Sequence, residues 1–117
     1  MHNFRNLNIW TKSVELVTEI YRVTEKLPRQ ERYGLISQME RAAVSIPANI
    51  AEGSAKSSNK DFARFLEMSL GSCYELETEL LVSKNLKYIS EEIYIQFQKE
   101  IIDLQKMIVK FKGSLQI

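Results

Sequence analysis

The chain has 117 residues and a formal charge of +1, with 44% hydrophobic and 26% charged residues. That is the balance of an ordinary folded protein, long enough to bury roughly two-thirds of the surface its unfolded chain exposes, and it excludes disorder and any global electrostatic pull toward nucleic acid or membrane. Four glycines, two prolines and one cysteine, Cys73, exclude a turn-rich β fold and an internal disulfide, and suit a reducing cytosol.

Short breakers divide the chain into four helical patterns with almost no strand signal. The first runs over about residues 9–27, where Trp10, Val14, Val17, Tyr21 and Thr24 recur along one seam and Ile9, Leu16, Ile20, Val23 and Leu27 along a second beside it. Pro28 ends it, because proline disfavours the α conformation in the residue before it. The second pattern, about 31–53, carries Ile36, Met39, Ala43, Ile46 and Ile50 at alternating spacings of three and four, the seam of a bundle helix. Pro47 falls inside it and deletes the hydrogen bond to the carbonyl of Ala43, which kinks the helix; the alternative is two short helices meeting there. Gly53 is positioned as its C-terminal cap. Ser58, with Asp61 three residues on, caps the third helix, about 59–86. Phe62, Leu66, Ser69, Cys73, Leu76 and Leu80 form its seam, and Gly71-Ser72 mark a place of tight packing. Ser90 before Glu91-Glu92 caps the fourth, about 91–112, since both acids favour the positive end of the helix dipole. Ile93, Phe97, Ile101, Leu104, Ile108 and Phe111 are its core seam, and the residues from Gly113 onward are expected to fray. The expected fold is all-α, a single up-down four-helix bundle over residues 1–117 with a kinked second helix.

Catalysis finds little support in these residues. Bundles that hold two metal ions converge carboxylates with Glu-x-x-His pairs, whereas this chain has one histidine, His2, at an unconstrained terminal position. Glu75, Glu77 and Glu79 alternate by two, which scatters carboxylates around a helix and reads as a solvated face. Cys73 lies on an apolar seam with no internal histidine to activate it, and reads as core packing. No histidine follows Arg41 or Arg64 to make an Arg–His ribonuclease pair, and there is no glycine-rich phosphate loop. The chain therefore reads as a non-enzyme, with no catalytic residue, metal, cofactor or small-molecule substrate expected. With no apolar run near the about 20 residues of a membrane span and no apolar segment of signal-peptide length after Met1, it is expected in the cytoplasm of a bacterium and away from membranes.

Surface patterns say more. On the fourth helix Ile95, Gln98, Ile102, Gln105 and Val109 form a further stripe roughly 130° around from the core seam, too far for one bundle core to use both. With the doubled seam of the first helix, it gives a candidate oligomer interface of Ile95, Ile102, Val109, Ile9, Leu16 and Ile20. Arg41, Ser45, Asn49 and Glu52 form a polar stripe that either faces water, lines an oligomer channel or docks a partner. Lys56, Lys60 and Arg64 make the best local basic row, and with Arg41 they are the candidate nucleic-acid contacts. Lys60 and Arg64 oppose the helix dipole, which a phosphate would relieve; the bland reading is a solvated row with Arg64 paired to Glu67. No aromatics are interleaved for base stacking.

The run Gln38–Gly53, QMERAAVSIPANIAEG, combines this apolar repeat with small residues and a mid-pattern proline. With Phe4, Leu7 and Trp10, Pro28 and Glu31, Tyr33-Gly34-Leu35, Gly71-Ser72, Glu75-Leu76-Glu77 and Leu86-Lys87-Tyr88-Ile89, it resembles the bacterial four-helix proteins encoded within 23S rRNA intervening sequences. That family includes accessory proteins of diversity-generating retroelements. The resemblance implies an up-down bundle assembling as a ring-shaped homo-oligomer, a homopentamer. Some relatives are strongly basic and bind nucleic acid and a reverse transcriptase, so RNA, DNA or such an enzyme are the implied partners besides the chain itself. The near-neutral charge of this chain departs from that basic character. The family carries over no catalytic residue. The combined reading is a non-enzymatic homo-oligomeric scaffold that binds nucleic acid or a nucleic-acid-processing protein, or alternatively a protein-interaction adaptor with no nucleic-acid role.

Overall fold

A computed structural model describes residues 2–117, in which four helices account for most of the chain: α1 (Asn8–Thr24), α2 (Ser37–Ser54), α3 (Asn59–Asn85) and α4 (Glu91–Ser114). Among the described residues there is no strand. Helix α1 packs on α2 and α4, and α3 packs on the same two, so the helices form a square with α1 diagonal to α3. The bundle measures 44 × 24 × 19 Å.

The starts of α3 and α4 are set by serines. The Ser58 hydroxyl accepts from the Asp61 N–H at 3.1 Å and the Ser90 hydroxyl from the Ile93 N–H at 3.1 Å, each satisfying a donor that the helix leaves free. Helix α3 ends at a left-handed residue, Lys87 with φ 64°, and the Tyr88 N–H reaches back to the Ser83 carbonyl at 2.9 Å. This is the Schellman closure usually given to glycine.

Two boundaries differ from expectation. Helix α1 ends at Thr24 and α2 begins only at Ser37; between them run a 3₁₀ turn (Arg29–Glu31) and a wide turn (Arg32–Ile36) broken at Gly34. Glu31 holds this connection, accepting from the Leu35 N–H at 3.2 Å and from the Tyr88 hydroxyl at 3.0 Å, so it ties the α1–α2 connection to the one before α4. Past Pro47 helix α2 continues unbroken, so the alternative of two short helices does not hold. Gly53 is inside α2 and has no positive φ, so it is not a cap. It is instead where α2 and α3 touch, with Phe65 and Phe62 in the space a side chain would take. Gly71 is the reverse: it is exposed, and a side chain there would meet nothing within 4 Å.

One apolar cluster fills the square, with Ile9, Leu16 and Ile20 from α1, Met39, Ala43, Ile46 and Ile50 from α2, Phe62, Leu66, Cys73, Leu76 and Leu80 from α3, and Phe97, Ile101, Leu104 and Ile108 from α4. This corrects the α1 half of the expected interface. Ile9, Leu16 and Ile20 lie inside the protomer, Ile20 with 0% of its surface exposed, and have nothing left to offer another chain. The other α1 seam is only partly left outside: Val14 and Tyr21 are exposed, Trp10 and Val17 are half-buried against the core, and Thr24 is buried.

Candidate functional site

Two apolar faces lie on opposite sides of the square. On the α1–α2 side, Val14 and Tyr21 of α1 join Val44 of α2, all three exposed. Tyr21 and Val44 line one open groove, which fixes them on a common surface. On the α3–α4 side, Ile95 and Val109 are 56% and 52% exposed, with Ile102 half-buried between them. The Gln105 amide donates to Glu77 of α3 at 2.8 Å, so the middle of the α4 stripe is anchored to the neighbouring helix. At about 100° per residue, Tyr74 and Leu81 lie within about 60° of Glu77, as Ile102 and Val109 do of Gln105. Exposed Tyr74 and Leu81 therefore extend the α4 stripe across α3. Sequence reasoning missed Tyr74 and Leu81 of α3 and Val44 of α2 because the main apolar seam of each helix faces inward; only the pairing of helices joins them into faces.

The four basic candidates do not share one patch. Ser45 of α2 meets Ser72 of α3 at 2.9 Å, and from this antiparallel register Arg41 lies about 18 Å along the axis from the level of Arg64. Lys56 lies over the Phe65 ring, 4.9 Å from its centroid. Arg64 is 72% exposed and pairs with Asp61 at 3.5 Å; Glu67 pairs instead with Lys112 of α4 at 3.1 Å. Lys60 is exposed. Arg41 lines the same open groove as Tyr21 and Val44, about 920 Å³ in volume, which crosses α2 from Tyr21 of α1 to Ser72 and Glu75 of α3. The centre of its expected polar stripe is turned inward: Ser45 and Asn49 are half-buried, the Asn49 amide donating to the Ser45 carbonyl and hydroxyl.

The acidic run on α3 is equally uneven. Glu75 is exposed and Glu77 half-buried, while Glu79 is only 6% exposed and its Oε1 has no hydrogen-bond partner. Burial, and secondarily the charge of Glu75, pushes the Glu79 carboxyl up to about 7. The expected solvated face thus fails at Glu79. Burial first and Glu19 second also raise Glu100, in a small cleft between α1 and α4. Cys73 is a free, buried thiol pushed up to about 12 by burial and by Glu77. His2 is held rather than loose: its backbone N–H donates to Ser54 at 3.1 Å, and its ring lies 5.0 Å from that of Phe62. Among the described residues, no group of three or more His, Cys, Asp or Glu is gathered to hold a metal ion, and no helix is long and apolar enough to cross a membrane.

The sequence matches the family described as 23S rRNA-intervening sequence protein over residues 5–110. The chain belongs to that family. The chain is also similar to a solved protein of unknown function from the S23 ribosomal protein family of Bacteroides thetaiotaomicron VPI-5482. The two are 25% identical over 91% of this chain and 99% of that one, with a TM-score of 0.84. No curated protein is similar enough to match. The run Gln38–Gly53 lies in α2; its small residues Ala42, Ala43 and Gly53 are buried, and Gly53 lies against Phe62 and Phe65 of α3.

Proposed function

We propose that this chain is a non-enzymatic scaffold that works as a ring-shaped homo-oligomer. The reading rests on one observation, the two exposed apolar faces on opposite sides of the bundle, Val14–Tyr21–Val44 and Tyr74–Leu81–Ile95–Val109. Two different faces of one chain join head to tail, and head-to-tail contacts close into rings when the rotation between copies allows. The protomer exposes 7268 Å², against about 6,600 Å² for a folded monomer of this mass. Apolar burial stabilises association by roughly 25 cal/mol per Å² before the ordering costs. Five copies is the number that the family resemblance suggests.

The test uses one doubly substituted variant per face, Tyr21→Glu with Val44→Glu, and Ile95→Glu with Val109→Glu. Light scattering is expected to give a 13.6 kDa particle for each variant alone. An equimolar mixture is expected to associate and stop at two chains, since only one intact junction can form. A wild-type chain that stays at 13.6 kDa in dilute solution overturns the reading.

The nucleic-acid role has thinner support, namely the exposed Lys60 and Arg64 at one end of each bundle, which a ring would multiply. If that end binds phosphates, Lys60→Glu with Arg64→Glu weakens RNA or DNA binding and flattens its salt dependence. Binding that ignores salt, or none at all, favours the adaptor reading.

A further inference from the structure

Beside the groove that crosses α2, toward the C-terminal end of α3, lies a second recess of about 600 Å³ lined by Leu35, Gln38, Glu75, Thr78, Glu79 and Val82. It falls within the size range of small-ligand pockets. Its chemistry is divided: Leu35 and Val82 are apolar, while two carboxyls, an amide and a hydroxyl make up the rest. We propose that this recess binds an organic cation, a primary ammonium or guanidinium carried on an aliphatic stem, with the head on Glu79 and Glu75 and the stem between Leu35 and Val82.

Three observations carry this. Glu79 is buried with an oxygen that no group in the protomer satisfies, and a buried carboxyl without a partner is costly to keep. The two ion pairs among the described residues leave Glu75 and Glu79 without a cation. The recess offers both charge and apolar walls: an ammonium or guanidinium brings several donors on one centre and buries its stem along apolar surface. Thr78 already donates its hydroxyl proton to the Tyr74 carbonyl at 2.8 Å, so toward the recess it is an acceptor.

The same chemistry is available from a free alkylamine or alkylguanidine, or from a lysine or arginine of a neighbouring copy. The probe is n-butylguanidinium chloride, with n-butanol as the uncharged control, followed by amide NMR shifts at Leu35, Gln38, Thr78, Glu79 and Val82. A site open to free ligand gives saturable shifts with the guanidinium and none with butanol. Glu79→Gln, which keeps the shape, and Glu75→Gln, at an exposed position, each weaken binding at least about tenfold. A site filled by a neighbouring copy shows instead as competition: the probe lowers the associated mass in light scattering, and Glu79→Gln weakens association by a similar factor. The site does not depend on the chain assembling, since the first arm works on a monomer. Unmoved amides together with an unchanged mass overturn it, and so does equal binding of the probe by the glutamine variants.

Discussion

At Gly53 an added methyl would lie 2.6 Å from Cβ of Phe65 and 2.9 Å from Cδ1 of Phe62. Phe62 is fully buried, and the Phe65 Cβ is fixed to the α3 backbone, so the clash is relieved only by moving two helices apart. Overpacking of this kind costs roughly 1–3 kcal/mol, while the helix propensity gained from Gly to Ala is at most about 1 kcal/mol. Gly53→Ala is therefore expected to lower stability by about 1–2 kcal/mol. The same substitution at Gly71, in the middle of α3, meets nothing within 4 Å, so only the propensity gain is left and the folded chain becomes more stable by about 0.5–1 kcal/mol. Urea unfolding followed by far-UV circular dichroism measures both, at one fixed chain concentration because association adds to apparent stability. A Gly53→Ala chain as stable as wild type would refute the close approach of α2 and α3.

Lys87 holds a left-handed conformation at φ 64°, so Lys87→Gly is expected to raise stability by about 1 kcal/mol in the same urea assay. For Glu79, a folded value of about 7 against an ordinary 4.5 means the unfolded chain gives up this proton first. The folded state therefore loses stability as pH rises from about 4.5 to 7, by an amount approaching 3 kcal/mol at 1.36 kcal/mol per unit. Glu79→Gln should flatten that slope across the window, and an unchanged slope would show the carboxyl to be neutralised already. The Cys73 thiol, pushed up to about 12, would be thiolate in only about one molecule in ten thousand at pH 8 even if reachable. Iodoacetamide should label it only as fast as the protein unfolds, and labelling within seconds in native buffer would contradict its burial.

The helix count and most of the core were legible because α2 and α3 have one strong apolar seam each, which has to face inward, and because the second stripe of α4 is diluted by Gln98 and Gln105 and so yields the core to the fully apolar one. Helix α1 was not legible in this way. Its two seams, one from Trp10 through Tyr21 and the other from Ile9 through Leu27, are nearly equal in apolar content, so only the neighbouring helices decide which is covered. The choice went to the aliphatic seam, whose branched side chains fill the space against α2 and α4, and left the aromatic one only partly covered. The glycines failed for a related reason. A small residue marks a position where a neighbour can come close, but which neighbour does so depends on the crossing: at Gly53 it is α3, and at Gly71 it is nothing within the protomer. Glu79 was read with Glu75 and Glu77 as solvated because residues spaced by two diverge on a helix; that same divergence turned one of the three toward α2.

Whether the two apolar faces make a ring or a fibre depends on their relative inclination. Head-to-tail copies whose faces are parallel stack without end, whereas five copies close only if each junction turns the chain by about 72°. The two layers of this bundle, α1–α2 and α3–α4, meet far more closely along α2–α3 than along α1–α4, so their own arrangement already inclines the two faces toward the α2–α3 side. Side chains add to this wedge, and the faces are unequal in this respect. The α1–α2 face has aromatic bulk on α1, in half-buried Trp10 and exposed Tyr21, while its one exposed large apolar side chain on α2 is Val44. If copies join through these faces as proposed, a partner lying across this one would be tilted toward α2, and the repeated tilt would curve the row of copies with the α2–α3 side on its inner edge. Replacing Tyr21 with alanine should reduce the wedge. Light scattering over rising concentration would then change from a plateau at a fixed number of chains to a mass that keeps growing, whereas a plateau at the wild-type number would mean that the curvature originates elsewhere.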